Sequence, residues 1–428
     1  MLDIKLIREN PEIVEKNLAK RGAADKISLL HELIETDKER RMIIQEVEKL
    51  KAKRNVITGE IAELKKSGKD AAVKMNEVGE IPERISNLDF RLNELNQKQK
   101  ELLLSIPNLL HDSVPFGKDD NDNVEVSCWG KQPEFDFTPK NHLEIIESMG
   151  LVDSERAARI SGHGFFYLKD ELALLDMALS RYAIDFLMNK GFTLVVPPFM
   201  MCKAAYQGVT DMEFFEEQLY KAEGEDLYFI ATAEHPMAAM FKDETLNSAE
   251  LPIKLVGFSP CFRKEVGAHG KYTKGLFRMH HFHKAEQFIF CLPEQSWELH
   301  EELQKNAEEL YQELGLHYRV VNVCTGDIGD IAAKKYDIEG WMADGKFREL
   351  GSNSNCTDYQ ARRLNIKYRE KEGQAPAGFV HTINNTALAT SRTMVAILEQ
   401  CQQSDGSVLI PKALRKYMNG MEKIEAKK

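Results

Sequence analysis

The chain has no cysteine framework, no phosphate-binding glycine loop, no long apolar run and no excess of basic charge. Each absence removes a class of function. The seven cysteines, Cys128, Cys202, Cys261, Cys291, Cys324, Cys356 and Cys401, are scattered, with no Cys-x-x-Cys pair. That usage fits reduced thiols in a cytosolic protein and argues against a disulfide scaffold or a cysteine-rich zinc site, so no zinc is expected. Neither Gly-x4-Gly-Lys-Ser/Thr nor Gly-x-Gly-x-x-Gly occurs, so the common phosphate loops are missing. No uninterrupted apolar run could span a bilayer. The opening MLDIKLIREN puts charges where a signal peptide needs an apolar core. A cytoplasmic protein with no membrane partner is expected. The formal net charge of −11 does not advertise nucleic-acid binding, which would need a local basic patch.

What is present describes a soluble globular chain. Its 428 residues suggest two or three domains, and 43% hydrophobic with 29% charged residues is an ordinary balance. Residues 1–30 read as a short helical segment, with Asn10-Pro11-Glu12 as a helix start. From about 31 to 66, Val47, Leu50, Ile57, Ile61 and Leu64 recur at the three-four spacing of a coiled-coil seam, interrupted by Arg54. A turn at 65–70 leads to a second helix with Ile81, Ile85, Leu88, Leu92, Leu95 and Leu102 in the same rhythm. Pro82 marks its first turn or a kink. The pair predicts an antiparallel hairpin over 31–103 that projects from the body, within an N-terminal domain of residues 1–106. Lys38, Arg40, Arg41, Lys49, Lys51, Lys53 and Arg54 outnumber the acids between them. They form either a solvated helix face or a basic patch.

Residues 107–141 read as a linker, because Pro107, Pro115, Pro133, Pro139 and the acidic run at 119–122 argue against regular structure. From 142 to 428 strands and helices alternate. A helix is expected over 168–189, stopped by Lys190-Gly191. A short strand at 192–196 is halted by Pro197-Pro198, and another at 227–230 feeds Thr232-Ala233-Glu234. A helix over 297–314, strands at 318–323, 348–356 and 379–384, and a helix over 389–400 carrying Arg392 complete the set. Antiparallel strands with separate helices predict an α+β domain.

The richest stretch is 262–290, FRKEVGAHGKYTKGLFRMHHFHKAEQFIF. It reads as two antiparallel strands around a polar loop with Gly267, Gly270 and Gly275. Period-2 alternation in the second strand, about 277–290, puts Phe282, Lys284 and Glu286 on one face. Arg263 and Glu265 share a face of the first strand by the same rule. A fixed cation, an aromatic plane and carboxylates on one surface suit a nucleotide. The bland alternative is a surface hairpin with salt bridges.

Three segments together carry a resemblance. FRKE…RMHHFHKAEQ, HTINNTALATSRTMVAILE (381–399) and MNKGFTLVVPP (188–198) resemble the three signature motifs of class II aminoacyl-tRNA synthetases. Thr232-Ala233-Glu234, Glu349-Leu350-Gly351-Ser352, the run at 355–363 and the helical arm narrow this to the seryl-tRNA synthetase family, over nearly the whole length. The resemblance implies an antiparallel sheet flanked by helices and a homodimer with the 195–198 strand at its interface. It implies ATP and Mg2+ as cofactors. The reaction would join L-serine and ATP into seryl-adenylate, then load tRNA(Ser), and tRNA(Sec) where present.

It also implies residue roles. Arg263 would bridge the α-phosphate and the serine carboxylate. Glu265 would accept from the adenine amino group, Phe282 would lie under the ring, and Arg392 would hold the γ-phosphate. Lys264, Met279, Leu350 and Gly351 would complete the ATP site, and Glu349 with Ser352 would bind magnesium. Thr232, Ala233 and Glu234 would receive the serine ammonium, Glu286 would read its side chain, and Asn384 with Thr386 would close the pocket. Arg40, Arg41, Lys51, Lys53 and Arg54 would meet tRNA. His235 follows the Thr-Ala-Glu segment where an aliphatic residue is common, and Gly351 stands where serine is frequent. Asn385-Thr386-Ala387 replaces a glycine-rich variant. His280, His281 and His283 are read as structural strand histidines. The alternatives are a same-fold enzyme loading a carrier protein, a synthetase for proline, threonine or glycine, or a non-catalytic RNA-binding paralogue.

Overall fold

The structure, a computed structural model, describes residues 1–265 and 275–426. Gly267 and Gly270 of the expected hairpin loop lie outside the described residues. The chain forms two compact units, Met1–Pro107 and Asn108–Lys428.

In the first unit Asp3 caps α1 (Ile4–Glu9), and Asn10 precedes α2 (Pro11–Lys20), which has proline in its first turn. Then comes α3 (Ile27–Lys66), 40 residues long, or about 60 Å at 1.5 Å per residue. The expected second helix is split into α4 (Ala72–Gly79) and α5 (Ile81–Ser105). Glycine ends the first piece, and Pro82, lacking an N–H, restarts the second within its first turn. Ile43, Val47 and Ile57 of α3 bury against Ile81, Ile85 and Leu95, with Leu50, Ile61, Leu88 and Leu92 beside them.

The basic face is not a plain cationic stripe. Arg41 is tied to Asp37, a carboxylate only 2% exposed that also accepts from Arg8 and Gln99. Lys53 pairs with Glu77, and Arg40 donates to Asn96. Lys51 and Arg54 are exposed. Burial alone would raise the Asp37 carboxyl, but Arg8, Gln99 and Arg41 outweigh it and hold it below the usual range. Its stabilising contribution is therefore present above the ordinary aspartate range and lost as pH falls through the lowered value. Asp37→Ala should destabilise this unit by about 2 kcal/mol, less than for a fully buried pair, because both arginines still reach water. Urea unfolding of the arm's helical signal measures this, and an unchanged midpoint would remove Asp37 from the account.

The second unit is built on an eight-stranded sheet. Its strands are β1 (Val124–Trp129), β2 (Thr193–Val195), β3 (Ile253–Phe262), β4 (His281–Cys291), β5 (Tyr318–Asn322), β6 (Lys334–Trp341), β7 (Phe347–Asn355) and β8 (His381–Ala389). The spatial order is β1-β5-β6-β7-β8-β4-β3-β2, with all neighbours antiparallel except β2 and β3. Behind the sheet lie α7 (Asp170–Asn189), preceded in sequence by α6 (His142–Met149), and α11 (Thr390–Gln400), which follows the short α8 (Glu234–Ala238), α9 (Ser296–Glu313) and α10 (Tyr359–Leu364). Leu175, Leu179 and Leu187 of α7 share one core with Val256, Ala285, Ile289 and Leu398. Among the described residues no helix is long and apolar enough to cross a membrane.

Three expectations need correction. Residues 107–141 are not an irregular linker throughout. Val124–Trp129 pairs with β5 as the sheet's edge strand, and Asn108 donates to the carbonyls of Ile331 and Cys356. An edge strand needs partners on one side only, so the flanking proline and acid mask it in sequence. The second hairpin strand begins at His281, not 277, because Gly275–Phe277 forms a 3-10 turn. Finally, β3 ends at Phe262. Arg263 and Glu265 lie past it, and Glu265 has φ +52°, so strand alternation does not place them on a shared face. The strand β6 was not anticipated, since KKYDIEGW buries charged residues that read as surface.

Candidate active site

One face of the central sheet carries several of the expected residues, and the segments at its edge bring others near it. Across β4 and β8, Glu286 stands opposite Thr386 and Phe288 opposite Asn384. Across β7 and β8, Ser354 stands opposite Asn384, and across β6 and β7, Asp337 stands opposite Ser352. The two-residue repeat then aligns Phe282, Lys284 and Glu286 along β4.

At one end is a small pocket of buried charge. Glu286 is 1% exposed and Lys284 5%. Lys284 Nζ lies 2.5 Å from Glu286 Oε2 and donates to Thr386 Oγ1 at 3.3 Å. Thr386 Oγ1 in turn donates to Glu286 Oε2 at 3.2 Å. The Thr232-Ala233-Glu234 turn closes the pocket, with Thr232 Oγ1 accepting from Glu234 N–H at 3.1 Å as α8 begins. This turn can sit on β3 because Gly257 faces it; a Cβ there would come within 2.9 Å of Ala233 Cβ. Burial first, then the Glu286 charge, pushes the Glu234 carboxyl up to about 7, against Lys284 and Arg263. Burial also raises Glu286, opposed by Lys284. Asn384 Nδ2 points at Cys356 Sγ, 3.8 Å away. His235 is a backing residue, edge-on to Tyr206 and Phe215. Burial, then Lys284 and Arg263, pull it down to about 3, so it is neutral.

The middle and far ends carry cations and an aromatic floor. Arg263 Nε donates to the Ala231 carbonyl at 3.2 Å, and its guanidinium lies 5.4 Å from the centre of the Phe282 ring. Arg392 Nη1 reaches Glu349 Oε1 at 3.0 Å and the Glu349 carbonyl at 3.1 Å, over the Phe277 ring. Ser352 Oγ donates to Glu349 Oε1 at 3.3 Å. Burial would raise Glu349, but Arg392, Lys335 and Arg263 outweigh it and hold the carboxyl at about 2. Glu265 is paired with Arg278 at 2.5 Å, and Lys264 N–H donates to the Gln218 carbonyl.

Two expected ATP residues have their side chains elsewhere. Met279 and Leu350 are buried in the main core, so only their backbones can face a ligand. Gly351 has a steric reason, since a Cβ there would lie 2.9 Å from the Thr386 carbonyl oxygen. Any side chain at this position would require the Thr386 segment to shift. Of the histidines, His283 Nδ1 bonds Asp176 at 2.8 Å and His280 bonds Tyr220.

Sequence reading gave no role to Lys335, Asp337 or Lys284. Lys335 and Asp337 alternate along β6, 3.6 Å apart, and only the unrecognised strand hid them. Asp337 is raised to about 7 by burial, opposed by Lys335 and reinforced by Glu349, and its Oδ1 is buried without a hydrogen-bond partner among the described residues. Glu349, Ser352 and Asp337 are hard oxygen donors gathered on one patch, a set that suits magnesium.

The comparisons agree with this geometry. Residues 215–401 match the pattern of the tRNA synthetase class II core domain (G, H, P, S and T), so fold and site define a class II aminoacyl-tRNA synthetase core. Residues 1–110 match the seryl-tRNA synthetase N-terminal domain. A serine–tRNA ligase from Methanocella arvoryzae is 51% identical over 423 residues, covering 99% of this chain and 100% of that one. The crystal structure of seryl-tRNA synthetase from Pyrococcus horikoshii complexed with ATP superposes with TM-score 0.96 at 48% identity, covering 100% of both chains. A cytoplasmic serine–tRNA ligase from Naegleria fowleri in complex with AMP gives TM-score 0.89 at 37% identity, covering 100% of this chain and 99% of that one. The chain belongs to the seryl-tRNA synthetase family.

Proposed function

We propose that this chain activates L-serine with ATP, releasing diphosphate, and passes the seryl group from the adenylate to tRNA(Ser), and to tRNA(Sec) where present. The observation that carries this is the buried Glu286 carboxylate on the sheet face, with Arg263 over Phe282 of the same strand and the Arg392–Glu349 pair beyond it. The reaction brings a carboxylate onto a phosphate, two anions that repel. Arg263 neutralises both the α-phosphate and the serine carboxylate, and Arg392 holds the γ-phosphate. Phe282 supports the adenine ring. Glu265 leaves Arg278 to accept from the adenine amino group, while the backbones of Lys264, Met279, Leu350 and Gly351 line the nucleotide. Thr232 and Glu234 take the ammonium, Glu286 the hydroxyl, and Asn384 with Thr386 closes the pocket. Magnesium, held by Glu349 and Ser352 with Asp337 beside them, would supply charge neutralisation on the leaving diphosphate. No side-chain nucleophile is needed, because orientation supplies the rest.

The enzyme works as a cytoplasmic homodimer in this reading. Val196, 63% exposed, and Met240, 49% exposed, are apolar surface beside the proline-ended strand that a second copy would cover. The hairpin binds tRNA through Arg40, Lys51, Lys53 and Arg54, while Arg41 serves mainly to hold Asp37. A carrier-protein loader would have no use for this arm.

Deleting residues 33–103, with a short joining loop, should spare serine-dependent pyrophosphate exchange. It should cut serylation of tRNA by about 100-fold or more, through loss of several phosphate contacts. Charging assays on the full-length and shortened enzymes at two salt concentrations test this. Near-normal charging by the shortened enzyme would assign the hairpin another task.

A further inference from the structure

The pocket at the serine end holds more charge than a single amino acid requires. Two carboxylates, Glu234 and Glu286, and two cations, Arg263 and Lys284, surround it. Serine offers one ammonium, one carboxylate and one hydroxyl. Arg263 takes the carboxylate, but either glutamate could take the ammonium, and only one arrangement reads the hydroxyl.

We propose that Lys284 is a positioning residue that commits Glu286 to the serine hydroxyl and leaves the ammonium to Glu234. The inference rests on the serine-activating reading above. Its basis is the hydrogen-bonded triangle of Lys284, Thr386 and Glu286. Lys284 Nζ and Thr386 Oγ1 both approach Glu286 Oε2, at 2.5 Å and 3.2 Å. That oxygen is satisfied from within the protein, so Oε1 is the one left to accept from a ligand hydroxyl. A fixed cation 2.5 Å from the carboxylate also repels a second ammonium from the same group, strongly so in a site that excludes water. Thr386 accepts from Lys284 while donating to Glu286, so one proton arrangement satisfies the whole set. Lys284 and Glu286 are two apart on β4, which fixes them on one face. Arg263 also faces Glu286 but is anchored to the Ala231 carbonyl, so Lys284 is the cation in direct contact with the carboxylate among the described residues.

The groups facing Glu286 from the surrounding elements set the expected pH behaviour. They are Lys284 on its own strand, Cys261 on β3 and Arg263 just beyond it, Glu234 and His235 from the turn into α8, and Thr386 from β8. Burial already raises the Glu286 carboxyl, and Lys284 opposes this. Without the lysine, that carboxyl moves further up and holds a proton at a higher pH.

The test is ATP–pyrophosphate exchange by the full-length enzyme with serine and with alanine, from pH 6 to 9. Wild type, Lys284→Met, Lys284→Arg, Glu286→Gln and the Lys284→Met/Glu286→Gln double variant are compared. Lys284→Met should lower the serine-over-alanine ratio of kcat/KM by about tenfold or more. Both enzymes should lose serine affinity as pH falls, because Glu234 is held up to about 7, and in Lys284→Met the rise in KM for serine should begin at a higher pH than in the wild type. Lys284→Arg should recover most of the ratio. On the Glu286→Gln background, removing the lysine should change the ratio little. Should Lys284→Met fail to fold, Lys284→Gln replaces it, keeping a polar side chain without the charge; the same fall in the serine-over-alanine ratio is expected, and a wild-type ratio overturns the proposal. A wild-type ratio and pH profile in Lys284→Met, or an equal further loss on the Glu286→Gln background, overturns the proposal and leaves the serine reading intact. A wild type with no serine-dependent exchange overturns both.

Discussion

Replacing Arg263 with alanine is expected to lower serine-dependent ATP–pyrophosphate exchange by about 100-fold or more, and replacing Arg392 to do the same. Both guanidiniums are held in place before any substrate arrives. Arg263 is tethered to the Ala231 carbonyl and lies over Phe282, while Arg392 is fixed by two contacts to Glu349. Preorganisation of this kind is what makes a charged donor effective, since nothing has to reorient as charge shifts along the phosphates. The two variants should differ in a second respect. Arg392→Ala frees the Glu349 carboxylate of its strongest cation, so KM for ATP should become more sensitive to magnesium concentration. Arg263→Ala should instead raise KM for serine, because in the proposed reading that side chain meets both substrates. Circular dichroism should show a folded protein in each case, as neither side chain is part of the main core. Exchange within a few-fold of wild type in either variant would cancel that assignment.

The second large effect is expected at Glu286. Serine differs from alanine by one hydroxyl, and a merely enclosing pocket would separate them weakly. A buried site built to hydrogen-bond a hydroxyl leaves polar groups unpaired when alanine enters, and rejection can then reach about 10⁴-fold. Glu286 is 1% exposed, so water cannot repair the loss. Glu286→Ala should abolish serine activation and most of the preference over alanine. Threonine should be refused differently in this reading, by lack of room beside Thr386 and Asn384, which are 8% and 5% exposed. Exchange rates with serine, alanine and threonine check both points. An unchanged ranking in Glu286→Ala would mean that another group reads the side chain.

The helices and the seam of the arm were legible because period and punctuation coincide. Val47, Ile57, Ile85 and Leu95 repeat at coiled-coil spacing, and Lys190-Gly191 stops α7 where a stop is expected, with Gly191 at φ +86°. The face shared by Phe282, Lys284 and Glu286 followed from strand alternation alone. What escaped did so for physical reasons. The strand β6 buries Lys335 and Asp337, so its charges read as surface when they line a site. The edge strand β1 alternates over only six residues, Val124–Trp129, is mostly exposed and lies among prolines and acids, which masked its short signal. Glu265 was placed by strand geometry, but the strand stops three residues earlier and Glu265 turns left-handed. Arg41 read as part of a cationic face, yet its partner Asp37 is one turn away and buried. Gly351 read as a departure from the family, and here it stands where an added Cβ would meet the Thr386 carbonyl at 2.9 Å.

The most direct measurement is ATP–pyrophosphate exchange by the purified full-length chain with each standard amino acid in turn, followed by charging of total tRNA. The account predicts exchange with serine far above every other amino acid, and serine as the residue found on tRNA. Exchange led by alanine, threonine or glycine, or none with any amino acid, would contradict it.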